Sequence, residues 1–307
     1  MKNLIPMFYY PLGIMFIDDD VEQLKAYHHL GLPNKIITEH DPNKAILQLI
    51  CNESNSISPF NSHNKSFNDI DLKSDDKSII TFEFIFDELK NFIHNTAKYK
   101  HYKIIIADYD MPTINGIQLF EKLNDNSFIK ILLTGKYKPL NAVAQLNHKT
   151  IDYFLQKGQS TTNAELIESI KTLEFKYFQA ITCNFLDITQ HKMSFLFDTA
   201  YIELFNSITK ANNISEYYLI NQTGCYLMQN PDKQYFLLNV YSDIDLSNFC
   251  DLYQNVLDHD TISQIKYRNI IPNCEQIKKL LQSNFINKNQ FDKCLQHEKY
   301  YYNLVNL

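Results

Sequence analysis

"KIIIADYDMPTING", residues 103–116, is an apolar run that stops on an acid. Ile104 to Ala107 are four consecutive aliphatic or small residues, and no polar residue alternates with them. A run of this kind reads as a strand buried on both faces, which is the signature of a parallel sheet covered by helices on each side. In such sheets the ligand crevice lies outside the carboxyl ends of the strands. Asp108, the first residue after the run, therefore stands where chemistry is expected, and Met111-Pro112 and Asn115-Gly116 supply turn signals directly after it.

The same punctuation recurs on both sides of this stretch. "GIMFI" ends at Asp18-Asp19-Asp20, and "VEQLKAYHHLGL" follows with helical spacing until Gly31 and Pro33 stop it. "NKIITEHD" reads as a second strand and "PNKAILQLI" as a second helix with proline near its start. After the quoted stretch come the helix "INGIQLFEKL", the strand "FIKILLTG", the helix "PLNAVAQLNH" and the strand "IDYFLQKG". "STTNAELIESIKTLEFKYFQAI" then carries helical periodicity for several turns, with Thr162 and Glu165 in capping-box spacing. Five strands alternating with helices predict a doubly wound, flavodoxin-like parallel sheet. The last helix is free to run on into the second half of the chain.

The chain between Asp19 and Asp108 is much longer than two βαβ steps of about 30 residues each require. Most of the excess is "NESNSISPFNSHNKSFNDIDLKSDDKS", residues 52–78, whose Ser/Asn/Asp-rich composition predicts a flexible loop. The following "IITFEFIFDELKNFIHNTAKY" has the spacing of an inserted helix that packs on the domain or on a partner, with core packing the preferred reading.

Beyond the fifth helix the character changes. "EYYLINQTGCYLMQNPDKQYFLLNVYSD" predicts three short strands in an antiparallel meander, and segments with helical spacing follow to the C-terminus. The organisation expected from these shifts is an N-terminal extension over 1–13, an α/β domain over 14–172 with an insertion at about 52–100, and a C-terminal α+β domain over 173–307.

Composition bounds the function. The 307 residues are 45% hydrophobic and 13% aromatic, enough for packed cores. Lys and Arg number 29 against 35 Asp and Glu, a formal charge of -6, and Arg268 is the single arginine. A phosphate backbone would repel such a molecule, and arginine is the usual reader of guanine edges, so DNA binding is not favoured. In residues 160–307 acids again outnumber bases, and no short helix pair there is basic. The six cysteines show no Cys-x-x-Cys pair and read as reduced core residues. "MKNLIPMFYYPLG" lacks the charge pattern and cleavage site of a signal peptide, and no run approaches the roughly 18 apolar residues of a membrane span. A cytoplasmic protein without membrane partners is expected.

Four strand ends carry reactive groups: Asp18 and Asp19, Asp108, Thr134, and Lys157. Clustered carboxylates raise one another's proton affinity and are stable as anions only beside a cation, for which Mg²⁺ is suited. Residues 14–172 resemble the receiver domain of bacterial two-component response regulators. The resemblance rests on "IDDD", "DYDMPTING", "LLTG" and "YFLQK", in this order and at these strand ends. It implies that Asp108 accepts a phosphoryl group from a histidine kinase or phosphotransfer protein. It further implies Mg²⁺ held by Asp18, Asp19, Asp108 and the backbone carbonyl of Asp110, with Lys157 neutralising phosphoryl oxygens. Thr134 would move to the new phosphoryl group and Phe154 would be the aromatic that turns inward after it. A domain of this family catalyses its own phosphorylation and dephosphorylation.

Two departures accompany the resemblance. Family members usually place proline after the lysine, and here Gly158 stands instead, so the loop that aims Lys157 is not enforced. At the rim, Asp110 and Lys136 are read either as an ion pair that shields the pocket from water or as two solvated side chains.

For the second half the motifs are thinner. Asp243 and Asp245 follow a strand at the spacing two-metal nucleotidyl-transfer sites use, but no Gly-Ser loop precedes them, and a helix N-cap at Asp245 or Ser247 is the preferred reading. Asp258-His259-Asp260 reads as a turn between helices rather than a metal site, and the Tyr/Phe-rich meander as an ordinary sheet core. The whole chain, with its long insertion and an output half that is not helix-turn-helix, is similar to quorum-sensing response regulators. That similarity implies autoinducer-responsive histidine kinases upstream and homodimerisation linked to phosphorylation.

Overall fold

The computed structural model describes residues 4–53, 92–123, 128–135, 139–189, 193–274 and 291–307. Most of the insertion expected at 52–100 lies outside these residues, as does Lys136 with the rim ion pair it was to make. The chain divides into two compact units, one of residues 11–70 and 94–177, the other of residues 1–10, 71–93 and 178–307.

The first unit is built on a five-stranded parallel sheet. Its strands are β2 (Gly13–Ile17), β3 (Ile36–Glu39), β4 (Tyr102–Asp108), β5 (Ile129–Thr134) and β6 (Tyr153–Gln156), in the order β3-β2-β4-β5-β6. The first strand of this unit thus lies inside the second, the flavodoxin-like 2-1-3-4-5 arrangement. Helices α1 (Val21–Tyr27), α2 (Pro42–Glu53), α3 (Gly116–Lys122) and α4 (Pro139–Asn147) alternate with the strands, and α5 (Thr162–Thr189) follows the last. Ile14 to Ile17, Ile104 to Ala107 and Ile131 to Leu133 are all buried, so consecutive residues face opposite layers of core. That two-sided burial is why these strands read as unbroken apolar runs. Asp20 starts α1 by accepting from the Glu22 and Gln23 N–H groups, and Asn115 starts α3 with a capping box shared with Gln118. α5 runs unbroken for 28 residues, but Thr162 does not form the expected capping box; its hydroxyl donates to the Gln156 and Gln159 carbonyls instead.

The second unit carries a six-stranded sheet in which every pairing is antiparallel, ordered β1-β7-β8-β9-β13-β12. The expected meander is present as β7 (Glu216–Leu219), β8 (Tyr226–Gln229) and β9 (Tyr235–Ser242). Two parts of this sheet depart from expectation. The N-terminal residues are not an appendage, because β1 (Phe8–Tyr9) pairs with Tyr217 and Tyr218 of β7. Leu4, Ile5, Met7, Phe8 and Tyr10 are buried there. Residues 275–290 of the expected helical stretch after β9 lie outside the described residues; among the described ones, helical spacing is realised in α7 (Asp243–Tyr253) and α8 (His259–Lys266) and is followed by strands. These are β10 (Ile270–Pro272), β11 (Phe291–Lys293), β12 (Leu295–His297) and β13 (Tyr300–Asn306). The reason is visible in "YYYNLVN", whose aromatic and branched side chains suit a pleated surface, and whose pairing with β9 supplies neighbours that local spacing does not show.

Helix α6 (Thr199–Ala211), capped by Asp198, precedes the meander. Phe205, Tyr217 and Tyr226 pack edge to face and Tyr201 stacks on Phe205, and all four are buried. The aromatic meander is therefore ordinary sheet core. Among the described residues no helix is long and apolar enough to cross a membrane.

Candidate functional site

Parallel pairing brings the reactive residues to one edge of the first unit's sheet. Ile17 pairs with Ala107, Asp108 with Leu133, and Thr134 with Gln156, so Asp18, Asp108, Thr134 and Lys157 emerge at the same level. The Lys157 N–H donates to the Thr134 carbonyl at 2.8 Å, which fixes where the lysine leaves its strand.

Lys157 is the hub. Its Nζ lies 2.6 Å from Asp18 Oδ2 and 2.7 Å from Asp108 Oδ1. Asp18 Oδ1 accepts from the Asp20 N–H at 3.0 Å, and Asp108 Oδ2 accepts from the Asp110 N–H at 2.9 Å. Each carboxylate thus spends one oxygen on the backbone of its own loop and the other on the shared ammonium, which sets their spacing. Burial pushes the Asp18 carboxyl above its usual range, and the lysine's hydrogen bond pulls it back only in part. Burial would lower the Lys157 ammonium, but the hydrogen bonds it donates to Asp108 and Asp18 outweigh that and hold the group above its ordinary value.

Asp19 is exposed, yet its carboxylate joins those of Asp18 and Asp108 with ligand oxygens within 4.8 Å of one another. Three carboxylates at this spacing form an all-oxygen donor set of the kind a hard divalent cation takes. Thr134 is fully buried at the end of β5. Phe154 is half-buried against the core cluster that includes Leu132 and Met111. Gly158 has φ +87°, a conformation that proline cannot adopt, so the departure from the family pattern has its own backbone geometry.

Two residues near the acids carry weight that spacing alone did not assign. Tyr27 stacks on Phe16 at 4.2 Å and directs its hydroxyl to Asp18 Oδ2 at 3.4 Å. At Gly116 an added Cβ would stand 2.5 Å from the Asp108 carbonyl and 2.7 Å from Leu132 Cδ1. The Asn-Gly signal quoted at the outset is thus a close approach of α3 to the strand end that carries Asp108. Gly116→Ala should cost about 1–3 kcal/mol by overpacking, and should displace Asp108 enough to slow any reaction there. Chemical denaturation checks the first effect.

Asp243 and Asp245 are not brought to this site. Asp243 Oδ1 accepts from Arg268 at 3.0 Å (Nε) and 2.8 Å (terminal nitrogen). Asp245 forms a capping box with Ser242, which is the N-cap of α7 in place of the expected Asp245 or Ser247. Asp258 caps α8 through the Thr261 N–H at 2.8 Å, so the Asp-His-Asp triplet begins a helix after a turn.

No family model and no curated protein matches the sequence. Among solved structures, the response regulator LqsR of Legionella pneumophila matches 100% of this chain and 90% of its own, with TM-score 0.71 and 21% identity. The chain has the fold of LqsR. Smaller structures match about half of it. A CheY-like receiver domain protein from Methanospirillum hungatei has 15% identity and TM-score 0.33, covering 55% of this chain and 98% of that one. The receiver domain of a putative LuxO repressor protein from Vibrio parahaemolyticus has 16% identity and TM-score 0.34, covering 55% and 94%. The LqsR fold spans both the parallel sheet and the antiparallel one.

Proposed function

We propose that the chain is a response regulator switched by phosphorylation of Asp108. The observation that carries this reading is the Lys157 ammonium shared between the carboxylates of Asp18 and Asp108. An anion arriving at Asp108 meets a cation already fixed in place, which is most of what phosphoryl transfer asks of a protein.

Asp108 attacks the phosphorus of a phosphohistidine on a kinase or phosphotransfer protein, and the imidazole nitrogen leaves. Asp18, Asp19, Asp108 and the Asp110 backbone carbonyl would hold Mg²⁺, which supplies neutralising charge for the phosphoryl oxygens. Lys157 turns from carboxylate to phosphoryl oxygen as the charge on Asp108 is capped. Thr134 then donates its hydroxyl to the new group, and Phe154 follows into the space it leaves. The gain of a charged group biases a two-state element, and assembly into a homodimer is the proposed output.

For the second unit a protein-interaction or dimerisation role is preferred. The alternative, nucleotidyl transfer at Asp243 and Asp245, finds those carboxylates engaged by Arg268 and Ser242. Direct DNA reading has the acidic composition against it. Quorum-sensing control belongs to this same proposal and rests on similarity alone.

The test is phosphoryl uptake from acetyl phosphate with and without Mg²⁺, followed by light scattering. Wild type should take up phosphate only with Mg²⁺ and gain dimer. A chain carrying both Asp18→Asn and Asp19→Asn should lose at least a hundredfold in uptake rate, as removal of a fixed electrostatic partner does. Equal uptake by that variant would remove the metal assignment.

A further inference from the structure

Among the described residues, the hairpin of β12 and β13 leaves the far end of β13 without a neighbour on one side. The Leu307 N–H donates to the Tyr235 carbonyl at 2.9 Å, so odd-numbered residues of β13 bond to β9. Even-numbered residues therefore turn their N–H and C=O groups to the other side, where β12 pairs only with Tyr300, Tyr301 and Tyr302. Beyond Tyr302, Leu304 and Asn306 present two donors and two acceptors to a side that no described strand occupies.

A cavity of about 430 Å³ lies along this edge, lined by Asp292, Lys293, Leu295 and residues Asn303 to Asn306. Its polar wall holds one group that hydrogen-bond logic makes a donor. The Cys274 N–H can only donate, and it is accepted by Asn239 Oδ1 at 3.0 Å. Asn239 Nδ2 must then donate, and does so to Asn303 Oδ1 at 2.7 Å and Asn273 Oδ1 at 2.9 Å. Asn273 Nδ2 finds Asp292 at 2.7 Å. Asn303 Nδ2, on a side chain 5% exposed, has no partner among the described residues. A buried amide donor left in this way is costly unless an acceptor reaches it.

Charge at the rim is also unbalanced. Asp292 is engaged by Asn273, while Lys293 is exposed and pairs with no acid among the described residues. A row of alternating donors and acceptors, a buried amide donor, the apolar side chains of Leu295, Leu304 and Val305, and one spare cation together match an extended peptide carrying an acidic residue. Strand addition to an open edge draws affinity from the main chain and selectivity from such pockets.

We propose that the open edge of β13 binds an extended acidic peptide segment of a partner protein, with its backbone bonded to Leu304 and Asn306 and one carbonyl reaching Asn303 Nδ2. The test pans a random heptapeptide phage library on the full-length chain, with the selected sequences synthesised. Bound peptides should slow hydrogen exchange of the Leu304 and Asn306 amides and be enriched in Asp or Glu. They should bind Asn303→Leu and Asn306→Pro at least tenfold more weakly, and Lys293→Ala about threefold more weakly. Asn306→Pro removes one edge donor at an exposed C-terminal position, so it reads the site even if Asn303→Leu fails to fold. Equal binding to all variants, protection elsewhere, or a library that yields no binder would overturn the proposal, the last result making Lys293 and the asparagines a device against edge pairing.

Discussion

Lys157→Met should unfold more easily than wild type by about 2–4 kcal/mol in the absence of divalent cations, because a shared buried partner is lost. The Lys157 side chain is 25% exposed, but those of Asp18 and Asp108 are only 3% and 9% exposed, so solvent does not replace the ammonium well. With the lysine gone, two nearby acids face each other and one must take up a proton to remain buried. Added Mg²⁺ should therefore restore more stability to the variant than it gives wild type. The same change should slow phosphoryl uptake by at least a hundredfold, the scale on which a fixed transition-state partner acts. Denaturant midpoints with EDTA and with Mg²⁺ read the first effect, and the initial rate of uptake reads the second. A variant as stable as wild type in EDTA would mean that the bridge is not what holds the two acids together.

His101 should make the first unit acid-sensitive at the end of the sheet away from the acids. It precedes β4, is 8% exposed, and neither ring nitrogen has a partner among the described residues. Burial, aided by nearby Lys103, lowers its pKa from 6.5 to about 4. The unfolded chain therefore binds a proton that the folded chain refuses throughout that interval. Stability from neutral His101 is complete above about pH 6.5, falls as pH drops through the window, and is lost by about pH 4, a change of about 3 kcal/mol. Asp18 and Asp152 act in the opposite sense, since burial raises both and protonation relieves them. The effect is therefore read as the difference between wild type and His101→Leu. That difference should change by about 3 kcal/mol between pH 7 and pH 4 in favour of the variant. A difference independent of pH would place a hydrogen-bond partner on the ring.

What the sequence disclosed follows from where its information is local. The strands ending at Asp18, Asp108 and Thr134 are buried on both faces, so each shows as an unbroken apolar run with its terminus marked by a polar residue. The sheet order then brings those termini together, and the meeting of Lys157 with both acids follows from side-chain reach. Features that depend on distant pairing were not legible. β1 is two residues long and is a strand only because β7 lies beside it. β13 was hidden because its partner β9 ends nearly sixty positions earlier in the chain, so the pairing that makes it a strand leaves no local mark. Gly116 looked like a turn residue, and only the packed structure shows that the Asp108 carbonyl occupies the place of its missing side chain. Asp243 drew attention by its spacing from Asp245, whereas its contact is with the chain's single arginine, which stands on a positive-φ residue after α8.

Whether Asp108 is the phosphoryl acceptor is read by intact mass spectrometry. Wild type and Asp108→Asn would each be incubated with acetyl phosphate and Mg²⁺, and the adduct located by peptide mapping. One phosphoryl group is expected on wild type, located at Asp108, and none on the variant. An adduct of equal yield on both chains, or none on wild type, would contradict that role for Asp108.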